Sequence, residues 1–311
     1  MKAEDLETLT ACIETAYALA ERGDREAAVH QFATARVLSG TRADQALLTK
    51  EVQRQYNICK KERDYYREDA RVHSTGRPDA GNGILVLADS LGLPRAYEME
   101  TPRRGAEVLY PNLLGRMFPD RVITSLAQRL FTTSDAVAML EAEPDLGRDA
   151  SIILHMGLND AARRMYIERH RISLALLPEA QRDRIVRFGQ VYRKDILQYL
   201  PPLFYTDCDQ FVTNIDRVIS LARERKARRV VLLTIIVPPL RSWAGTPHAP
   251  RYFAEYNLRI MTTALRHDMP YIDFDRHVWA SMESGPLNDD GMHLSAFGHQ
   301  LLATELAKVL R

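Results

Sequence analysis

Cysteine is scarce: Cys12, Cys59 and Cys208 are the three in 311 residues. The number is odd and no two are spaced like metal ligands. Neither a disulfide framework nor a cysteine metal site is expected, and the thiols are read as reduced. Charge imbalance is missing too. Lys and Arg number 42 against 41 Asp and Glu, a net charge of +1. Nothing in that balance points to a nucleic-acid or membrane-surface partner. No apolar run is long enough to span a bilayer. The opening stretch, MKAEDLETLTACIETAYALAERGD, carries acids early and no unbroken apolar segment, so it does not read as a secretory signal. A cytoplasmic protein is the expectation. What remains is an ordinary globular composition, 46% hydrophobic and 27% charged, at a length for one large or two modest domains.

Residues 1–75 read as helical. Three segments are visible, Asp5–Arg22, Arg25–Leu38 and Ala43–Ala70. Gly23 and Asp24 supply a helix stop and an N-cap between the first two. Ala28, Phe32 and Ala35 form one apolar stripe at i, i+4, i+7. With Gly23 they fall at the spacing of the second half of a tetratricopeptide repeat. The match is partial, because the first-helix signature positions are Cys12, Ala16 and Leu19 and no proline closes the unit. A single such unit cannot bury its own face. It either docks on the rest of the chain or binds a protein partner.

His73 to Gly83 is rich in Gly, Pro, Asn and Asp, and 76–83 reads as a linker. From residue 84 the pattern changes. Apolar runs at Ile84–Leu87, Val122–Leu126, Ile152–Met156, Val230–Val237 and Tyr271–Phe274 alternate with helical stretches. That alternation predicts an α/β fold, a flavodoxin-like doubly wound parallel sheet of five strands over 84–311, with an N-terminal α-helical extension.

Three short motifs fall in loops where such a sheet binds ligands, at the carboxyl ends of strands. Ser90 follows the first strand in ILVLADSLGLP. Gly157-Leu158-Asn159-Asp160 follows the third. Asp290-Gly291-Met292-His293 precedes the last helix. Taken singly, each has a plainer role. Ser90 and Asn159 suit turns or caps, Asp290 suits a turn, and His293 suits a helix entry. Together they make a chemical set. A serine hydroxyl needs a base, and His293 is available. The imidazole needs an acceptor for its other nitrogen, and Asp290 is three residues away. An oxyanion needs donors, which the Asn159 amide and the Ser90 backbone N–H offer.

ADSLGLPR, GLND and DGMH resemble blocks I, III and V of the SGNH (GDSL) hydrolase superfamily, in order, across nearly three quarters of the chain. The resemblance implies a serine ester hydrolase that needs no cofactor or metal. Ser90 is then the nucleophile, His293 the base, Asp290 its orienting acid and Asn159 an oxyanion donor. Two positions depart from the pattern. Ala88 stands where the family usually has glycine. The loop Ser125–Thr133, equivalent to block II, has no glycine to supply a second backbone donor. Arg129 and Leu130 are the candidates for that place. Arg129 is alternatively a source of charge in the pocket.

After GLND comes a long basic segment with Arg163, Arg164, Arg169, Arg171, Arg182, Arg184, Arg187 and Arg193. It suits a lid or side wall, or a solvated surface paired with its own acids. Arg95 and Arg164 are the candidates for holding an anionic substrate group. SLGLPR with an arginine soon after block III also resembles SGNH proteins of bacterial surface-polysaccharide biosynthesis. That implies an acetyl or other short acyl ester of a glycan as substrate. Two alternatives remain open: an O-acyltransferase using the same residues, and a catalytically degenerate adaptor binding a partner through its N-terminal helices.

Overall fold

The computed structural model describes residues 3–21, 24–39, 82–93, 108–127, 130–166, 170, 174, 177–239 and 249–311. The helix expected at Ala43–Ala70, the linker before Gly81, Arg95 and Arg129 lie outside these. The chain divides into two compact units, Met1–Asp69 with Arg163–Leu203 and Ala70–Ala162 with Phe204–Arg311.

In the first unit, helices α1 (Ala3–Glu21) and α2 (Arg25–Ser39) pack on each other. The Asp24 carboxylate caps α2 by accepting from the Ala27 N–H at 3.1 Å. Leu9, Ile13, Ala16 and Tyr17 of α1 and Ala28, Val29, Phe32 and Ala35 of α2 are buried, and Tyr17 meets Phe32 edge-on at 5.1 Å. The stripe read from the sequence is thus the buried face of α2. The same unit holds Arg163 and Arg164. The Arg163 guanidinium donates to the carbonyls of Leu197 and Leu200, and the Arg164 N–H to that of Leu203.

The second unit contains the sheet. Its strands are β1 (Ile84–Ala88), β2 (Ile123–Ala127), β3 (Ser151–His155), β4 (Arg229–Leu233) and β5 (Tyr271–Ile272). All pair in parallel, in the order β2-β1-β3-β4-β5. This is the doubly wound order expected from the alternation. Every residue of β1 and β3 is buried, as continuous apolar runs require of strands covered on both faces. Ile84, Val86 and Ala88 join Ile153, Val231 and Leu233 in one core cluster. Helices α3 (Tyr110–Met117) and α11 (Ala296–Leu310) complete it with Tyr110, Leu114, Leu302 and Leu306.

The topology also fixes where a site can form. Connections leave β1 toward β2 and cross back to β3, so the topological switch point lies at the carboxyl ends of β1 and β3. Backbone pairing holds this mouth together, with the Asp89 N–H donating to the His155 carbonyl at 3.3 Å. Among the described residues, no helix is long and apolar enough to cross a membrane.

Candidate active site

At the end of β1 the chain turns through one coil of 3-10 helix, Ser90–Gly92. The Asp89 carboxylate caps it by accepting from the Leu91 N–H at 2.9 Å. Gly92 is required by close approach. A Cβ there would stand 2.8 Å from the Cβ of Ala88 and 2.9 Å from that of Ala127. This explains why alanine is accommodated at 88, since the room its methyl needs is left by Gly92. Gly92→Ala is expected to force the serine turn off the ends of β1 and β2. A stability loss of about 1–3 kcal/mol should appear in denaturant unfolding, with reduced reactivity at Ser90.

His293 arrives from the other side, on the loop before α11. An antiparallel bridge between Leu287 and Leu294 closes this loop. The Asn288 side chain donates to the Leu294 carbonyl and the Asn288 N–H to the His293 carbonyl, both at 2.8 Å. Asp290 folds the tip by accepting from the N–H groups of Met292 (3.0 Å) and His293 (2.9 Å) on its Oδ1. Its Oδ2 lies 2.7 Å from His293 Nδ1, and His293 Nε2 lies 3.1 Å from Ser90 Oγ. One continuous line therefore runs from hydroxyl through imidazole to carboxylate, joining residues 203 positions apart. Burial works against the Asp290 charge. The hydrogen bonds from the His293 ring and the two backbone N–H groups outweigh it, so the carboxyl is held well below its usual range.

Asn159 follows β3 on the short helix α5 (Leu158–Ala161). Gly157 makes the turn between them at φ +122°, a conformation that glycine adopts freely. The Asn159 side chain is buried and its Nδ2 donates to the Phe131 carbonyl at 3.2 Å. That contact assigns Nδ2 as the nitrogen.

The loop after β2 bears on the missing glycine. Leu130 has φ +63°, a left-handed conformation that costs an ordinary residue about 1–2 kcal/mol. The residue type departs from the family pattern, while the backbone takes a shape that glycine would adopt without strain.

Of the six residues singled out from sequence, the structure brings Ser90, His293 and Asp290 into one hydrogen-bonded line, and seats Asn159 at the end of the neighbouring strand. Arg164 belongs to the other unit. Sequence reasoning passed over two acids that adjoin the motifs. Asp89 and Asp160 are both fully buried. Burial pushes Asp89 up to about 7, against the Leu91 hydrogen bond, and nearby Asp160 adds to the rise. Burial pushes Asp160 up to about 6, against hydrogen bonds from Thr133. The signal was an acid beside the serine and another beside the asparagine. His155, at the end of β3, contacts Tyr110 Oη through Nδ1 at 3.2 Å, and burial pushes it down to about 3, so it is held neutral.

Asp89 carries a pH prediction. Between the ordinary carboxylate range and about 7, folded Asp89 keeps a proton that the unfolded chain has released. Its contribution to stability therefore falls as pH rises through that window. Asn imitates the protonated acid and does not titrate. The thermal midpoint of Asp89→Asn relative to wild type is expected to move in the variant's favour from pH 5 to pH 8. A difference that stays constant with pH would contradict this.

An α/β sheet with a serine–histidine–aspartate line at its switch point defines a class of acyl-transferring hydrolases. The chain belongs to the GDSL-like lipase/acylhydrolase family, whose profile matches residues 89–301, and it is an esterase of the SGNH type. Solved structures with the same fold include the lipase/acylhydrolase from Enterococcus faecalis, at 15% identity and TM-score 0.50. The match covers 74% of this chain and 95% of that one. The acetylxylan esterase Axe2 from Geobacillus stearothermophilus aligns at 13% identity and TM-score 0.50, over 76% and 96% of the two chains. The acetyl xylan esterase AlAXEase aligns at 14% identity and TM-score 0.50, over 74% and 100%. No curated protein sequence matches this one.

Proposed function

We propose that the protein removes O-acetyl or other short acyl groups from a carbohydrate by a covalent acyl-enzyme mechanism. Ser90 is the nucleophile, His293 the general base and acid, and Asp290 the group that orients the imidazole. The observation that carries this reading is the unbroken line from Ser90 Oγ to His293 Nε2 (3.1 Å) and from His293 Nδ1 to Asp290 Oδ2 (2.7 Å).

In the first half-reaction the Ser90 oxygen attacks the ester carbonyl carbon and its proton passes to His293 Nε2. Asp290 stays ionised and stabilises the imidazolium through Nδ1–H. The Asn159 side-chain amide and the Ser90 backbone N–H hold the oxyanion. The intermediate collapses, the C–O bond to the sugar breaks, and the departing oxygen takes the proton from His293. In the second half-reaction water gives a proton to His293 and attacks the acyl-serine; the C–O bond to Ser90 breaks, its oxygen takes the proton back from His293, and the carboxylic acid leaves.

Two esterases with this fold carry acetylxylan in their names, which supports an acetylated glycan as the substrate class. The likeness of SLGLPR and the following arginines to polysaccharide-associated proteins extends the reading to a surface glycan. Arg95 is assigned to an anionic group on it.

The test uses the full chain, a fluorophosphonate probe and acetylated oligosaccharides, neutral and acidic. Expected are covalent labelling mapped to Ser90 and release of acetate, faster from the acidic glycan. Intact protein that neither labels nor releases acetate would overturn the proposal.

A further inference from the structure

The basic segment of the first unit folds into helices α6 (Glu179–Val191) and α7 (Arg193–Tyr199). Neither has a part in the reaction above. Among the described side chains of α6, Gly189 alone is buried. A Cβ there would meet the Tyr166 hydroxyl, which donates to the Ile185 carbonyl at 3.4 Å. Most of the helix faces outward, and much of that face is apolar. Twelve large apolar side chains are exposed among the described residues, and six of them fall between 185 and 200. They are Ile185, Phe188, Val191, Tyr192, Tyr199 and Leu200. Scattered exposure needs no explanation, whereas this concentration marks a contact surface.

Ile185, Phe188 and Tyr192 follow one another at i, i+3, i+7 along one face of α6, with Val191 beside Phe188. Arg184 and Arg187 stand four residues before Phe188 and Val191, so they share that face. The sequence allowed these arginines to pair with acids of their own segment. Arg182 does so, with Asp183 at 3.2 Å. Arg184 and Arg187 make no hydrogen bond or ion pair with any described residue. On α7, Lys194 and Asp195 are both exposed and offset each other. The face therefore carries two uncompensated positive charges among apolar side chains. The whole-chain balance of +1 hides this excess because it is local. A partner that is both anionic and apolar is the complement.

A helix of a partner protein docks in a groove with a wall on either side. Here every described residue lining the shallow hollow on this face lies within 180–192, on α6 and its C-cap, so the surface is the ridge of one helix. A second copy of the chain would bring Arg184 and Arg187 against themselves across a two-fold axis. A bilayer surface needs no walls and takes the charges at its phosphates. The apolar side chains of a surface-lying helix enter the boundary between headgroups and acyl chains. Arginine reaches back to the phosphates, and tyrosine sits at their level. No described helix is long and apolar enough to cross a membrane, so the contact is one of lying on it.

We propose that α6 and α7 dock this face on an anionic lipid surface, Phe188, Val191 and Ile185 entering the headgroup boundary and Arg184 and Arg187 meeting lipid phosphates.

The test is cosedimentation of the full chain with vesicles of equimolar phosphatidylglycerol and phosphatidylcholine, against vesicles of phosphatidylcholine alone. Wild type should bind the anionic vesicles at least about tenfold more tightly, and high salt should weaken that binding. Arg184→Gln with Arg187→Gln should weaken it about 30-fold. Phe188→Ser with Val191→Ser leaves the charge unchanged and should still weaken it at least about tenfold, which adsorption by charge alone would not show. Both pairs replace exposed side chains and should leave thermal unfolding nearly unchanged. Wild type that ignores the anionic vesicles, or either pair of substitutions binding them as wild type does, would overturn the proposal. Wild type that ignores vesicles and sediments as a dimer, dispersed by Phe188→Ser, would overturn it in favour of a second copy. Wild type that ignores vesicles and binds an amphipathic polyglutamate-rich peptide would overturn it in favour of an acidic protein segment.

Discussion

Replacing Ser90 by alanine is expected to lower kcat for a short acyl ester by at least about 10⁴-fold and to eliminate fluorophosphonate labelling. The change deletes one oxygen from a partly exposed side chain and leaves the Ser90 backbone in place. What it loses structurally is one hydrogen bond to His293. Stability should therefore change by no more than about 1 kcal/mol. That contrast makes the variant informative, since a large catalytic loss in a normally folded protein assigns the covalent bond to this oxygen. Under the proposed mechanism the residual rate comes from the oxyanion donors it assigns, the Asn159 amide and the backbone N–H at position 90. Retention of more than about a tenth of the activity would move the nucleophile elsewhere.

Asp290→Asn is expected to lower kcat by about 10³- to 10⁴-fold with a small effect on KM. The geometry of the loop gives the reason. Oδ1 accepts from the N–H groups of Met292 and His293. In the variant those two donors hold the amide oxygen at that position. The NH₂ group is then forced into the place of Oδ2, 2.7 Å from His293 Nδ1. It donates where the carboxylate accepted, so Nδ1 loses its proton and Nε2 carries it. An imidazole in that tautomer gives a hydrogen bond to Ser90 and cannot take its proton. The loss is one of protonation state, so the loop should remain folded and the affinity for substrate nearly unchanged. Activity within tenfold of wild type would show that the imidazole is oriented by something other than Asp290.

Much of this molecule is legible in its sequence. The runs at 84–87, 152–154 and 230–233 are uniformly apolar because their strands are covered on both faces. Their alternation with amphipathic helices leaves few ways to wind a parallel sheet. The motifs could be found because each is local. Asp290 and His293 are three residues apart, and the turn that joins them is made by Asp290 itself. The Ala88 and Leu130 departures are equally visible as residue types, but their consequences are not. Ala88 is harmless only because Gly92 folds back over it. The left-handed backbone at Leu130 depends on what the surrounding loop is tied to.

The sequence by itself determined the five-stranded parallel α/β class, the carboxyl-edge location of the motifs and the chemistry the motif residues could perform. Periodicity, turn residues and side-chain type are properties of short stretches. Only the tertiary structure decided which groups meet. Asp160 and Thr133 are 27 residues apart and Thr133 and Asn214 are 81 apart, and no local pattern marks any of them as partners. Their association follows from burial. A carboxylate enclosed between β3 and helix α4 (Thr133–Ala142) must find donors or lose its charge, and the Thr133 hydroxyl and N–H are the donors the fold brings there.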